Sequence, residues 1–216
     1  MKVTNAIKRL TRILPIKSNL DALDADTVKV YQAVVNAFYE WGRAPTLQEL
    51  QLEVTDAAER VGLLAAQDML TVNQAGEVTG CYPFTMEPRV HQVDIHGHRL
   101  HAMCALDALA PSAMFECPSV VASECAVSQL PVRVELDNQN VLNAAETGDV
   151  FFGINWAAAS ACGSCSESLC TEMLFLKGVE NAQSWLNQDT GNREIFTLAE
   201  AIEFAAGFFK PMMQQE

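Results

Sequence analysis

Apolar residues recur every three or four positions along several stretches of the chain, which is the spacing of an amphipathic helix. The first stretch lies in residues 1–17, carries five basic residues and no acidic one, and ends near Pro15. Further stretches begin at Asp26, after Thr46 and at Thr55. We therefore predict helices in these segments, and we expect the first to pack its apolar stripe on its own domain rather than on a membrane or nucleic acid.

A hairpin is predicted after these helices. The segment "TVNQAGEVTGCYPFTM", residues 71–86, has turn residues from Gln74 to Gly76. Helices followed by a hairpin give the outline of a winged-helix-like module, which we place at residues 1–80. Such a module binds DNA or serves a structural or dimerising purpose. The stretch from Leu50 to Glu59 holds acidic residues and no basic one, which favours the structural purpose.

The pattern changes after Gly80 to strands and turns. We predict a hairpin around Gly97, two strands within "PSVVASECAVSQLPVRVEL", and a buried strand in "TGDVFFGINW". Helical spacing returns in "NAQSWLNQ" and in a last helix that is capped by Thr197, with Glu200 at its third position. The fold class is therefore α+β, with a mixed α+β domain and a small antiparallel sheet at residues 81–216.

Composition narrows the class of protein. The chain has 216 residues, of which 50% are hydrophobic, and a formal net charge of −13. Most of the acidic excess follows residue 80, which argues against nucleic-acid binding there and is compatible with soft cations. Apolar runs are too short for a membrane span or a signal peptide, so we expect a cytoplasmic protein without a membrane partner. Seven cysteines, an odd number without regular disulfide spacing, indicate free thiols.

One thiol and one carboxylate share the apolar segment "LHAMCALDALA". If this segment is helical, Cys104 and Asp107 are three residues apart and project from nearly the same face. The thiol and the carboxyl would then be neighbours. The alternative is that Cys104 is a small core residue and Asp107 an acid inside or capping a helix.

Three further cysteines lie in "SACGSCSESLCTEMLFL". Cys162 and Cys165 form a C-x-x-C pair, which can hold a metal, act as a redox dithiol or occupy a mobile surface loop without a fixed task. Cys170 precedes the apolar run "MLFL", which we predict to be a strand.

All four histidines fall between His91 and His101. His96, His98 and His101 could bind a transition metal together with Cys104, although alternating histidines on a hairpin are more often solvated. The sequence has no glycine-rich phosphate loop, serine nucleophile elbow or H-E-x-x-H zinc helix.

Taken together, these segments resemble the alkylmercury (organomercurial) lyase family. The resemblance is carried by "RLHAMCALDALAPSAM", "VVASECA", "SLCTEMLFL" and "AQSWL", and it covers about residues 80–186. It implies that residues 81–216 form the catalytic domain, behind the winged-helix-like module. It also implies an active site of Cys104, Asp107 and Cys170, with the same three residues holding the Hg²⁺ product.

The implied reaction is protonolysis of a carbon–mercury bond. It needs soft ligands for mercury and a proton donor beside the leaving carbon. In the implied mechanism one thiol captures the organomercury group and the second displaces further ligands, while Asp107 takes up a thiol proton and delivers it to the carbon. A carboxyl with an ordinary pKa of about 4 holds that proton at neutral pH only in a desolvated pocket. The products are a hydrocarbon and Hg²⁺.

The resemblance also implies the accompanying molecules. No organic cofactor is required, because mercury itself is the substrate and product, and excess small thiol is needed for product release. Expected partners are organomercurial compounds, cellular thiols and a mercuric reductase that accepts Hg²⁺, in a pathway of mercury resistance and detoxification. The amphipathic N-terminal helix makes a homodimer a further expectation.

Several residues depart from the family pattern. Met103 stands where tryptophan is common, and Cys81 in "GCYPF" stands where a small residue is usual. Cys125 matches a family cysteine for which we expect a structural role. Three cysteines are additional, namely Cys117, Cys162 and Cys165. An alternative therefore stays open, in which the protein is a carrier or sensor of Hg²⁺ or Cu⁺ without lyase activity. Asp107 favours the lyase, because a carrier needs no positioned acid.

Overall fold

The computed structural model describes residues 1–160 and 164–214. Its helices are α1 (Lys2–Ile13), α2 (Ile16–Ala22), α3 (Ala25–Trp41), α4 (Leu47–Glu53), α5 (Ala57–Ala66), α6 (Ala105–Leu109), α7 (Pro111–Phe115), α8 (Ala144–Thr147), α9 (Val179–Asn187) and α10 (Leu198–Met213). Short 3₁₀ turns occupy Trp156–Ser160, Cys165–Glu167 and Leu169–Glu172. Among the described residues, no helix combines the length and the apolar character that a membrane crossing requires.

The strands form two antiparallel sheets. They are β1 (Leu70–Val72), β2 (Val78–Cys81), β3 (Phe84–Thr85), β4 (Gln92–Ile95), β5 (His98–Ala102), β6 (Pro118–Glu124), β7 (Pro131–Asp137), β8 (Asn140–Val141), β9 (Val150–Asn155), β10 (Met173–Lys177) and β11 (Arg193–Thr197). In the described part of the chain, the larger sheet has eight strands in the order β1-β2-β3-β5-β4-β6-β7-β8, and the smaller has the order β10-β9-β11. The predicted α+β class with an antiparallel sheet is confirmed.

Three predicted helices, α1, α4 and α10, form where the sequence has an apolar stripe or a capping box. The apolar stripe of α1 buries Val3, Ala6 and Leu10 within the protein, and α1 packs against α10, which lies outside the residues 1–80 that we assigned to its module. Helix α4 begins with a capping box, in which Thr46 and Glu49 each bond the other's backbone N–H. A second capping box, between Thr197 and Glu200, starts α10.

The main sheet is larger than the small sheet we predicted. The hairpin β1–β2 is present, but β2 also pairs with β3, so the N-terminal hairpin extends the sheet instead of standing apart. Hydrogen bonding therefore continues across residue 80. The winged-helix arrangement and the domain boundary at this residue stay predictions.

The two sheets meet beside Cys125, at the end of β6. Its backbone forms a parallel bridge to Phe175 of β10, and the N–H of Ala126 donates to the Phe175 carbonyl at 2.9 Å. Strand β9 is buried at the centre of the smaller sheet, as predicted, and its Phe152 packs against Phe196 and Phe204. This junction brings β10 next to α6, and the candidate site lies between them.

Candidate active site

Cys104 stands at the start of α6, and this position differs from our prediction. We expected the whole segment around Cys104 to be helical, but β5 extends to Ala102 and Cys104 is the N-cap in an extended conformation with φ −152°. The strand continues because its residues pair with β3 and β4. Pro111, which lacks a backbone N–H, marks the start of α7, so α6 is only five residues long.

The thiol and the carboxylate still meet, through capping rather than through a shared helix face. Sγ of Cys104 accepts a hydrogen bond from the backbone N–H of Asp107 at 3.4 Å, as the side chain of an N-cap residue does. Every residue of α6 is buried, including Asp107 with 2% exposure. The short helix therefore holds an acid in the core, three residues from a thiol.

Cys170 completes the group from the other side. It lies in the turn Leu169–Glu172, immediately before β10, and its Sγ donates towards Oδ2 of Asp107 at 3.9 Å. One ligand atom from each of Cys104, Asp107 and Cys170 falls within 4.8 Å of the other two. The structure thus brings the three predicted site residues together from segments more than 60 residues apart in sequence.

The carboxyl of Asp107 is poised to exchange a proton near neutral pH. Burial raises its pKa from 3.8 to about 7, against the lowering effect of hydrogen bonds from Cys104 and Cys170. Its Oδ1 atom has no hydrogen-bond partner among the described residues. An unsatisfied buried oxygen costs stability. Structural demands alone do not account for an acid at this position.

Both thiols of the group are held neutral. Burial raises the pKa of Cys104 to about 12. The pKa of Cys170 is raised by its hydrogen bonds with Cys104 and Cys165 and by burial. Because a thiolate is the form that binds soft metals, each thiol must lose a proton on binding, and Asp107 is the adjacent carboxylate that can accept one.

A cleft of about 360 Å³ leads to Cys170 and has a partly apolar, sulfur-rich wall. Met103 and Met173 line it, and Sδ of Met173 lies 3.6 Å from Sγ of Cys104. Thioether sulfur is also a soft ligand. The remaining lining residues are Arg89, Val90, His91, Glu124, Cys125, Ala126, Gln129, Thr171 and Leu174.

Cys165 does not occupy a loose surface loop, which was one of the alternatives for the C-x-x-C pair. Its side chain is 5% exposed, and its Sγ lies 3.8 Å from Sγ of Cys170. A hydrogen bond fixes the turn that contains Cys165: its backbone N–H donates to the carboxylate of Asp68 at 2.7 Å. Cys162 lies outside the described residues.

Three further cysteines of the described residues, Cys81, Cys117 and Cys125, are not part of the three-residue group. Cys81 is buried beside Tyr31, and Cys117 interacts with Tyr39. Cys125 lines the cleft, but its Sγ accepts backbone N–H groups of Ser128 at 3.5 Å and Lys177 at 3.2 Å. Burial acts to raise the pKa of Cys125, and these hydrogen bonds outweigh it, so the net shift is downward. Such contacts agree with the structural role expected of it at the junction of the sheets.

The histidine cluster does not form a metal site in the described part of the chain. His96 and Gly97 make the tight turn between β4 and β5, both with positive φ, and the ring of His98 bonds the Glu40 carbonyl at 2.9 Å. Nδ1 of His101 lies 2.9 Å from the carbonyl oxygen of Arg89. The possible grouping of these histidines with Cys104 is wrong, because the ligand group that contains Cys104 among the described residues includes Asp107 and Cys170 and no histidine.

Two contacts of the site were missed by sequence reasoning. Met173 had no motif to mark it, although it follows Cys170 by three residues and contacts Cys104. Asp68 lies 97 residues before Cys165 and gave no signal at all. For Cys165, the C-x-x-C spacing was a signal, but it did not indicate that Cys170 would be the neighbour.

Comparison with known proteins gives a consistent result. The sequence profile of the alkylmercury lyase family matches residues 84–210. The alkylmercury lyase of Staphylococcus epidermidis is 26% identical over 161 residues, covering 69% of this chain and 73% of that protein. The alkylmercury lyase of Bacillus cereus is 22% identical over 163 residues, with coverages of 75% and 72%.

A solved structure has the same fold. The crystal structure of the mercury-bound form of MerB2 superposes with a TM-score of 0.76 at 20% identity, covering 94% of this chain and 100% of the other. The profile match spans more than half of the chain and includes Cys104, Asp107 and Cys170. This chain therefore belongs to the alkylmercury lyase family.

Proposed function

We propose that the protein is an organomercurial lyase that cleaves the carbon–mercury bond by protonolysis at Cys104, Asp107 and Cys170. The observation that carries the proposal is the position of the Asp107 carboxyl. It is buried, has a pKa of about 7, and lies within 4.8 Å of two thiols. A group with this pKa can both accept and donate a proton at neutral pH.

The first step is thiol exchange on the incoming compound. The substrate reaches the protein as an organomercury adduct of a small thiol, R–Hg–SR′, through the cleft that Cys170 lines. The Cys170 thiol replaces the small thiol, which leaves with the Cys170 proton as R′SH. The organomercury group is then bound to Cys170, next to Met173 and the carboxyl of Asp107.

The second step breaks the carbon–mercury bond. Asp107 takes the proton of the Cys104 thiol, and the resulting thiolate binds mercury. Asp107 then delivers this proton to the carbon, which leaves as the hydrocarbon RH with the electron pair of the broken bond. Mercury remains as Hg²⁺ between two thiolates. The step needs no external oxidant or reductant. Asp107 ends the step as the carboxylate.

A carrier or sensor is the less favoured alternative. A carrier needs the thiols but no buried acid, and the unpaired Oδ1 of Asp107 would destabilise it without a benefit. A DNA-binding sensor needs a basic recognition helix, whereas α4 has acidic residues and no basic one. The acid at the thiol pair therefore favours the enzyme.

The accompanying proposals follow from this chemistry. No organic cofactor takes part, and excess small thiol removes the Hg²⁺ product, which a mercuric reductase then accepts. We place this activity in the cytoplasm, as part of mercury detoxification. We also propose that residues 1–80 form a winged-helix-like module with a structural role, and that the protein can associate as a homodimer. No nucleic acid or membrane takes part.

Detection of the hydrocarbon tests the function. The reduced protein is incubated with methylmercury or phenylmercury and excess small thiol, and methane or benzene is measured by gas chromatography. We expect catalytic hydrocarbon release that is lost in Cys104→Ala. Tight mercury binding without any hydrocarbon would assign the protein to the carriers.

A further inference from the structure

A third buried thiol touches the site and has no part in the steps above. Sγ of Cys165 lies 3.8 Å from Sγ of Cys170. It does not belong to the group of mutually close atoms that Cys104, Asp107 and Cys170 form among the described residues. Cys170 therefore belongs to the group with Cys104 and Asp107 and also contacts Cys165, which is outside that group.

The position of Cys165 is fixed by contacts from other parts of the fold. Its backbone N–H donates to Oδ2 of Asp68 at 2.7 Å, and the hydroxyl of Tyr82 donates to Oδ1 of Asp68 at 3.4 Å. At the end of the same turn, Glu167 accepts a hydrogen bond from Arg89 at 2.9 Å. Hydrogen bonds at both ends thus hold the backbone of the turn Cys165–Glu167, and the Cys165 thiol contacts Cys170.

The sequence neighbours of Cys165 line a cleft that Cys170 does not line. A second cleft, of about 350 Å³, is lined by Ser164 and Ser166, the two neighbours of Cys165 in sequence. Cys170 lines the first cleft and is not among the residues that line the second. Met103 and Arg89 line both clefts, so the two clefts adjoin. Cys165 itself lines neither cleft, but its thiol contacts Cys170 of the first cleft and its backbone continues into Ser164 and Ser166 of the second.

We propose that Cys165 is a third mercury-binding thiol, which accepts the Hg²⁺ product and holds it with Cys170 as an exit site. The inference rests on the proposed lyase function. In the exchange, the Cys165 thiol replaces the Cys104 thiolate on mercury. One sulfur–mercury bond forms, one breaks, and the Cys165 proton passes to Cys104. The step restores Cys104 as a thiol and leaves mercury between Cys170, which lines the first cleft, and Cys165, whose two sequence neighbours line the second.

The first test uses inorganic Hg²⁺, so that its result does not depend on lyase activity. Cys104→Ser is compared with Cys104→Ser/Cys165→Ser, and both carry Cys162→Ser so that the other thiol of the C-x-x-C pair cannot substitute. The reduced full-length proteins receive mercuric chloride against a competing small thiol. We expect Cys104→Ser to bind one Hg²⁺ through two sulfur atoms, as seen by X-ray absorption.

Removal of Cys165 should then weaken this binding by more than about 100-fold, since even substitutions outside the ligand shell weaken metal sites about 10- to 100-fold. Cys117→Ser, introduced in place of Cys165→Ser, is the matched control and should leave the affinity unchanged. Equal affinity with and without Cys165 would overturn the exit site. Circular dichroism of each variant, with Cys165→Ala as a second substitution, identifies any loss caused by misfolding.

A second test measures product release from the otherwise unaltered protein. After one turnover of phenylmercury, Cys165→Ser should transfer the Hg²⁺ that remains on the protein to excess small thiol at least about tenfold more slowly than the unaltered protein does, with the transferred Hg²⁺ counted per benzene released. Equal transfer rates would contradict the exit site. Absence of benzene from the unaltered protein would instead count against the lyase function, and the inorganic Hg²⁺ measurement would still decide the role of Cys165.

Discussion

Sγ of Cys170 lies 3.9 Å from Oδ2 of Asp107, and both side chains are buried. Among the described residues no cation is recorded beside this carboxyl, and burying a carboxylate that faces only thiols costs free energy. The same desolvation that makes it expensive raises the pKa of Asp107 to about 7. The energetic cost and the ability to move a proton thus have one physical cause.

Loss of the Cys170 thiol should abolish turnover. Serine has nearly the same size, so Cys170→Ser should fold, but its hydroxyl is a poor ligand for a soft metal. We expect hydrocarbon release to fall by about 10³-fold or more, as when other enzymes lose a nucleophile. Cys117→Ser is the control, because Cys117 lies away from the site beside Tyr39. Full turnover in Cys170→Ser would remove this thiol from the mechanism.

The free energy of unfolding should depend on pH because of Asp107. Because its folded-state pKa is raised from 3.8 to about 7, the folded state binds the proton more tightly than the unfolded state does. Asp107 therefore lowers the free energy of unfolding as pH rises from about 4 to about 7, and causes little further loss above that range.

Asp107→Asn removes this titration and keeps the side-chain size. Between pH 5 and pH 8, the variant should gain about 3 kcal/mol relative to the unaltered protein, measured by urea unfolding at each pH. Parallel pH dependences of the two proteins would show that the carboxyl has an ordinary pKa.

Gly80 should be intolerant of a side chain, because it supports the wall of the cleft. A Cβ added there would lie 2.6 Å from Oγ1 of Thr71, 2.7 Å from Cε of Met103 and 3.0 Å from the Phe84 carbonyl oxygen. Gly80→Ala should therefore destabilise the protein by about 1–3 kcal/mol.

Gly62 provides a control in which the same substitution should stabilise the protein. It lies within α5, and an added Cβ would meet nothing within 4 Å. Gly62→Ala should raise the free energy of unfolding by about 0.5–1 kcal/mol. Urea unfolding measures both effects, and a stable Gly80→Ala variant would mean that Met103 and Thr71 can move aside at little cost.

The histidines of the β4–β5 hairpin should be dispensable for mercury chemistry. His96 and His98 contact Glu40 rather than the thiols. We expect His96→Gln/His98→Gln to keep hydrocarbon release within about twofold, the usual range for surface substitutions. A loss of mercury binding in this variant, measured by competition with a small thiol, would show that the hairpin histidines take part in binding mercury.

The sequence was sufficient for the parts of the fold that depend on local patterns. Helix caps such as Thr46 and Thr197, and the turn at Gly97, act through neighbouring residues and can be identified without a structure. The extent of the main sheet could not be predicted, because the pairing of β2 with β3 and of β3 with β5 depends on tertiary contacts.

The candidate site also has residues that the sequence identified and one contact that it could not. Cys104 and Asp107 share one short segment, so their spacing made it possible that they are neighbours, although their contact arises from N-capping rather than from a helix face. Cys170 entered through the family resemblance. The contact between Cys165 and Cys170 could not be predicted from spacing, because it depends on the turn that Asp68 anchors from 97 residues away.

A single-turnover comparison of the unaltered protein with Asp107→Asn tests the central claim most directly. Each reduced protein receives less than one equivalent of phenylmercury, and benzene and protein-bound mercury are measured in the same sample. We predict that the unaltered protein releases benzene and keeps Hg²⁺, whereas Asp107→Asn binds phenylmercury and releases almost no benzene. Benzene release at equal rates from both proteins would contradict the assignment of Asp107 as the proton donor, and none from either would contradict the lyase function itself.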